Sequence, residues 1–448
     1  MKGFKAYDIR GIYGTDFTAE DIYKVGFFLP RMLGTQRVLV GRDARLSSDE
    51  VFDALCRGIN HSGADVYDMG LSTTPMVYWA TANYHFDASV QITASHNPPE
   101  YNGLKISKTG ALPVGYESGL AELEEYVHNE KVKPTSCPGV IEEFEVRDDY
   151  LRFLRPFVDY EDISLGIDCS NGMAALFVKQ LFGDDPLYLY ESLDGSFPNH
   201  EPNPLVEANV EDLKNLVKKE HLDIGVIFDG DADRVMFVDE GGNFVSPDLI
   251  IGILAHHFLE KEKGNVLHDI RTSRGVAEYI EKMGGTPHMW KVGHAYAKVK
   301  LREIDGIYGG ELAGHYYFRD FYYCDSGILA AILVLNVVSR MKKDGDSFSE
   351  LLKQISPYAF SGEMNFRIEE KQAAMEKLRE TFTTDEQTTA FYDFDGYRIE
   401  FSDWWFNVRP SNTEPYLRLV AEARDQALLA EKLEALKKVL SGFGEAEI

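Results

Sequence analysis

The chain has 448 residues, 44% hydrophobic and 27% charged, which is ordinary globular material with core enough for about three or four domains. Its 73 acidic and 46 basic side chains leave a net charge of -27, which argues against a general nucleic-acid or anionic-membrane surface and requires any anionic substrate to enter a locally basic cleft. Cys56, Cys137, Cys169 and Cys324 form no C-x-x-C pair, the opening MKGFKAYDIRGIYG lacks a signal-peptide core, and no run approaches the ~18 apolar residues of a membrane span, so a reducing cytoplasm is expected.

In chain order, VLVGRDARLSS (38–48), SLGIDCSNGMA (164–174) and NVLHDIRTSRG (265–275) look alike. Each is a short apolar run ending at an aspartate (Asp43, Asp168, Asp269), then small residues, then a helical stretch, expected at about 48–62, 172–183 and 274–284. Such alternation predicts α/β domains with mixed, mostly parallel sheets covered on both faces. Phe86 to Thr93 reads as a strand delivering Ser95 to a loop that Pro98 and Pro99 keep from becoming helical. After about residue 360, MNFRI, TTAFYDFDGYRIEF and YLRLVAEA read as alternating strands, with helices around 370–382 and 425–440, a smaller α+β domain. The expected division is 1–145, 146–246, 247–358 and 359–448, with Pro134, Pro138 and Gly139 in the first linker.

Four loops carry chemistry-bearing residues. In TASHNPPEYNGLK (93–105), adjacent residues on an extended chain point apart, so His96 is not expected to act as a base on Ser95, and no G-x-S-x-G elbow is present; an Asn-Pro turn is as compatible as chemistry. In IGVIFDGDADRVMFVDE an apolar strand presents Asp229, Asp231 and Asp233, alternating carboxylates suited to one hard cation. An EF-hand fails there because Arg234 stands at the sixth position, where glycine is needed, and a haloacid-dehalogenase motif fails because Asp233 stands where threonine is required. GGELAGHYYF sets Glu311 and His315 among glycines, an arrangement suited to vicinal sugar hydroxyls and equally to a plain turn. VRPSNTEPYLRL offers Arg409, Ser411, Asn412 and Thr413, a good inventory for a phosphate and also for a turn.

These four loops, in this order and with AYDIRG at 6–11, resemble the α-D-phosphohexomutase family over essentially the whole chain, and GHYYFRDFYYCDSG and WWFNVRPSNTEP are most similar to its bacterial phosphomannomutase branch. The resemblance implies four domains around a central cleft, three of them similar α/β units. It implies that Ser95 is a phosphoserine with His96 beside it, and that Asp229, Asp231, Asp233 and the phosphoserine oxygen bind Mg²⁺. Hexose phosphates would be the substrates, a hexose 1,6-bisphosphate the intermediate and activator, and the protein a monomer or weak homodimer. Arg409, Ser411, Asn412 and Thr413 would clamp the non-reacting phosphate, Glu311 would bind sugar hydroxyls, and Tyr7, Arg10, Lys105, Arg234, Arg271 and His294 would line the cleft. Proton transfer would fall to Lys105, if Arg234 and burial lower its pKa, or to His315. Ala313 stands where many relatives have serine and Arg271 where some have lysine, departures that bear on sugar preference.

Overall fold

The computed structural model describes residues 1–411 and 416–447, which form four sheets in succession along the chain. Three of the sheets repeat one plan. A central strand has a parallel neighbour on each side, and beyond one neighbour the sheet continues through two antiparallel strands. The order is Asp65–Leu71, Arg37–Arg42, Ala88–Ile92, Tyr101–Lys108, Ile9–Ile12 in the first sheet, and Leu187–Leu189, Leu165–Asp168, Ile224–Phe228, Val235–Asp239, Phe244–Val245 in the second. In the third it is Thr286–Trp290, Asn265–Asp269, Gly306–Gly310, Tyr316–Phe318, Cys324–Asp325. The three similar segments of the sequence are the three central strands. Ile141–Glu143 returns to the open edge of the first sheet, parallel to Asp65–Leu71.

The fourth sheet pairs its described strands antiparallel throughout, centred on Trp404–Pro410 and Tyr416–Ala423, and packs against helices Lys371–Asp385 and Gln426–Leu440 around its own core.

This plan places the chemistry. In each repeat the turn from the outer parallel strand into its antiparallel neighbour spans 93–100, 229–234 or 311–315, and these are the Ser95, Asp229 and Glu311 loops. Three different chemistries therefore occupy one topological position.

Two packing features set the frame. Helices Ala19–Leu33 and Ser48–Ser62 cross where Gly26 faces Gly58: a Cβ on the former would lie 2.2 Å from Leu55 O, and one on the latter 2.1 Å from Tyr23 O, so only glycine permits the crossing. Helix Thr74–Asn83 is buried from Thr74 to Ala82 and shares a core with Tyr150, Phe177, Phe228 and Phe321, joining the first three units. The helix expected at 172–183 is instead a 3₁₀ turn, Met173–Leu176, followed by Val178–Phe182; the break is at Phe177, φ -127°, whose ring turns into the shared core edge-on to Tyr150. Among the described residues no helix is long and apolar enough to cross a membrane.

Candidate active site

Ser95 is buried, and its backbone takes a left-handed φ of 52°, with its N–H donating to Thr93 Oγ1 at 2.9 Å. This conformation aims the hydroxyl across the boundary between units, where it donates to Asp229 Oδ2 at 2.8 Å. It also undoes the expectation drawn from an extended chain, because His96 Nδ1 comes to 3.4 Å from Ser95 Oγ. Burial and the charges of Arg234, Arg10 and Lys105 push the His96 pKa well below its ordinary value, so the ring is neutral. Arg10 donates to Asn97 Oδ1 at 2.9 Å and to Asp8 Oδ2 at 2.5 Å, bracing the loop from the amino-terminal strand.

The strand Ile224–Phe228 delivers Asp229, Asp231 and Asp233, all fully buried, with one oxygen of each within 4.8 Å of the others. Burial, then the charges of Asp231 and Asp233, raises the Asp229 pKa well above the usual carboxylate range. Asp231 Oδ1 and Asp233 Oδ1 are buried without a hydrogen-bond partner. Crowded, under-satisfied carboxylate oxygens fit a hard divalent cation, and Asp229, Asp231 and Asp233 are the residues that could hold one.

Thr74 Oγ1 donates to Asp231 Oδ2 at 2.5 Å, and Lys105 Nζ donates to Asp231 Oδ2 at 2.6 Å and Asp233 Oδ2 at 2.5 Å. Burial works against the lysine's charge, but the two aspartates outweigh it and hold its pKa above the ordinary value. The sequence-based condition for Lys105 as a proton acceptor, a lowered pKa, is therefore not met; here the ammonium is a counter-ion.

His315 occupies the complementary position. Arg234 Nε donates to His315 Nε2 at 3.0 Å, so that nitrogen carries the lone pair and the proton sits on Nδ1, 2.7 Å from Asp325 Oδ2. Asp325 also lies 2.7 Å from Lys298 Nζ, itself 3.6 Å above the Tyr78 ring. An isolated β-bridge between Arg234 and His315 ties the second and third loops together.

From His315 the contacts continue without interruption. His294 stacks on His315 with centroids 5.7 Å apart, and Tyr7 meets His294 edge-on at 5.8 Å. Glu311 accepts from Gly293 N at 2.6 Å and from Tyr317 Oη at 2.5 Å. Val292 N donates to Asp395 Oδ2 at 2.7 Å, and the adjoining Gly396 packs so tightly on Arg409 that a Cβ would lie 2.4 Å from that residue's Cβ. Arg409 is buried with Nε unpaired; burial and neighbouring Arg271 lower its pKa. Arg271 binds Asp269 through Nη2 at 2.7 Å and Nε at 3.1 Å and reaches Glu363 at 2.9 Å, while Arg418 reaches the other Glu363 oxygen at 2.9 Å. Ser411 N donates to Tyr416 O at 2.9 Å. Asn412 and Thr413 lie outside the described residues. The other candidates from the sequence form one connected group.

Several members escaped sequence reasoning. Asp325 and Lys298 support His315, Thr74 supports Asp231, and Glu363 sits among the arginines. Arg45 grips the Ser95 loop; its one signal was the D-x-R pattern it shares with Asp269 and Arg271. The repeated aspartate is structural: in each repeat one carboxylate oxygen accepts the backbone N–H two residues on, that of Arg45, Ser170 or Arg271.

Comparison with known proteins agrees with this architecture. Four models match in order: phosphoglucomutase/phosphomannomutase alpha/beta/alpha domain I over residues 1–133, domain II over 148–242, domain III over 246–358, and the C-terminal domain over 363–439. A phosphomannomutase of Methanocaldococcus jannaschii is 35% identical over 445 residues, covering 98% of this chain and 97% of its own length. A phosphomannomutase of Escherichia coli K12 is 35% identical over 443 residues, covering 96% of each chain. The crystal structure of a phosphoglucomutase/phosphomannomutase family protein from Burkholderia thailandensis superimposes with a TM-score of 0.88 at 30% identity, covering 98% of this chain and 97% of that one.

Proposed function

Since the chain belongs to the phosphoglucomutase/phosphomannomutase family, whose members are phosphohexomutases and hence isomerases, we propose that it interconverts mannose 6-phosphate and mannose 1-phosphate through a phosphoserine at Ser95 and a hexose 1,6-bisphosphate intermediate. The observation that carries this reading is the meeting of Ser95 Oγ with Asp229 Oδ2 at 2.8 Å in a group reaching on to Glu311 and Arg409.

The residues that would hold Mg²⁺ are Asp229, Asp231 and Asp233 with the oxygen of phosphorylated Ser95; when bound, the ion supplies Lewis-acid charge withdrawal at the transferring phosphoryl group. Arg10 and Arg234 flank the same loop and offset the phosphoserine's negative charge, while neutral His96 lies beside it as a hydrogen-bonding group. Transfer exchanges one P–O bond for another: the bond to Ser95 Oγ breaks as one to a sugar hydroxyl oxygen forms, and the hydroxyl proton passes to the protein. His315 is the acceptor we assign, with Asp325 2.7 Å from its Nδ1; taking the proton on Nε2 requires that nitrogen to exchange its contact with Arg234 for one with the sugar hydroxyl. Lys105 is the protonated counter-charge. After the bisphosphate turns end for end, Ser95 takes back the other phosphate, so one clamp must grip either phosphate. Arg409 and Ser411, with Arg271 near Arg409, would supply that clamp, to which the family resemblance also assigns Asn412 and Thr413; Glu311 would receive sugar hydroxyls, and Tyr7 and His294 would wall the passage between the two ends.

The mannose preference rests on what the similar chains are called. A coupled assay with mannose 1-phosphate, glucose 1-phosphate and glucosamine 1-phosphate tests it, and a kcat/KM for glucosamine 1-phosphate equal to that for mannose 1-phosphate would overturn it. Intact-mass spectrometry is expected to find one phosphate that is missing from Ser95→Ala; full activity in that variant would refute the phosphoserine.

A further inference from the structure

We propose that Arg45 is a positioning residue for phosphoryl transfer: its guanidinium clamps the Ser95 loop by main-chain carbonyls and fixes it against the second unit, so that the serine oxygen keeps its place at Asp229. This rests on the reading of Ser95 as the phosphoryl carrier.

The Arg45 side chain is fully buried. Nη1 donates to Pro98 O at 2.7 Å and Tyr101 O at 3.1 Å; Nη2 donates to Ser95 O at 2.8 Å and Asn97 O at 2.7 Å. One planar fork thus closes the 95–101 loop on itself, with the serine's own carbonyl among its acceptors. Asp43 orients the fork through Nε at 3.2 Å, and is itself held by Ser48 Oγ at 2.6 Å and by its own N–H on Ile92 O at 2.9 Å, the last residue of the strand that feeds the loop.

The guanidinium also lies over the Phe197 ring of the second unit, 5.0 Å from its centroid, and Arg45 bridges Gly195, where a Cβ would lie 2.1 Å from Ala44 O. The same segment continues to Pro202, which packs 3.4 Å from the position of a Cβ on Gly230, in the metal-ligand loop; that Cβ would also lie 2.5 Å from Ser95 O. Residues 195–202 therefore touch the arginine at one end and the aspartate loop at the other. Ser95 has φ 52°, which a serine holds only when its surroundings impose it, and Arg45 bonds the carbonyl of that residue. Lysine, with a point charge and no fork, cannot bond carbonyls spread over seven residues.

The test uses the full chain. Ser95 is loaded from glucose 1,6-bisphosphate and followed by intact mass, alongside steady-state kinetics and circular dichroism. Arg45→Lys is expected to lower both kcat and the loading rate about 100-fold while KM stays within about threefold. Phe197→Leu, which leaves the arginine but removes the ring beneath it, is expected to lower kcat about fivefold at unchanged KM. A folded Arg45→Lys with native kcat, or with a loss confined to KM, overturns the proposal. Should Arg45→Lys not fold, native kcat in Phe197→Leu does so. Ser95→Ala in parallel separates the two readings: phosphate uptake that survives it sinks the carrier assignment and the positioning role with it, whereas uptake lost there and unchanged in Arg45→Lys sinks the positioning role alone.

Discussion

At one end of the site Asp229, Asp231, Asp233 and Asp325 crowd around Lys105, Lys298 and Arg234; at the other, Arg271, Arg409 and Arg418 crowd around Glu363. The first end is a surplus of carboxylate held in check by buried cations, and the second a surplus of guanidinium held in check by Glu363 and by Asp269 beneath Arg271. Under the function proposed above, each charge sign suits its visitor, a cation at the acidic end and a phosphate dianion at the basic end. The internal counter-ions keep both ends foldable before either arrives. Changes at the acidic end should act on kcat and changes at the basic end on KM.

The largest effect belongs to the acidic end: chelating divalent cations, or Asp231→Asn, is expected to lower kcat by about 1,000-fold with little change in KM. Titrating Mg²⁺ back against initial rate checks it, and full activity in excess chelator would break the division. Next, Arg409→Ala should raise KM about 30-fold and lower kcat less, as for the loss of a charge-assisted contact to phosphate, measured by steady-state kinetics.

Smaller effects sharpen the same division. Burial alone would raise the Glu363 pKa, but Arg271, Arg418 and Arg409 outweigh it and keep the carboxyl below its ordinary range, ionised. Glu363→Gln removes that charge from among the arginines, so KM is expected to fall about threefold while thermal stability drops.

At the acidic end the folded chain holds the Asp229 proton more tightly than the unfolded chain does. This group therefore takes stability away as pH climbs from about 4 through its raised pKa. Metal-free Asp229→Asn is expected to melt about 2–4 °C above the native chain at pH 8, the gap closing towards pH 4, by calorimetry in chelator.

How much of this could be read from residues alone depended on where the information lay. The central strands ending at or beside Asp43, Asp168 and Asp269 announced the repeat because apolar runs and punctuating aspartates are local features. Asp229, Asp231 and Asp233 were legible for the same reason. Arg45 was not, because its partners are main-chain carbonyls that leave no trace in residue type. Glu363 comes from the loop before Met364–Ile368 and Asp325 from the edge strand Cys324–Asp325, and both meet the site only through packing. The left-handed Ser95 was hidden because the conformation is imposed by the surrounding loop, and the raised pKa of Lys105 was hidden because it is decided by two carboxylates on another unit.

The helix Thr74–Asn83, buried on every side, has a consequence for assembly. It belongs to the first unit in sequence, yet its apolar residues find their partners on Tyr150, Phe177 and Phe321, far downstream. A nascent or truncated chain that stops short of those partners must display a bare oily rod to water, inviting self-association. The first three units are thus bound to mature together, while the carboxyl-terminal sheet, with a separate interior, is free to form on its own timetable.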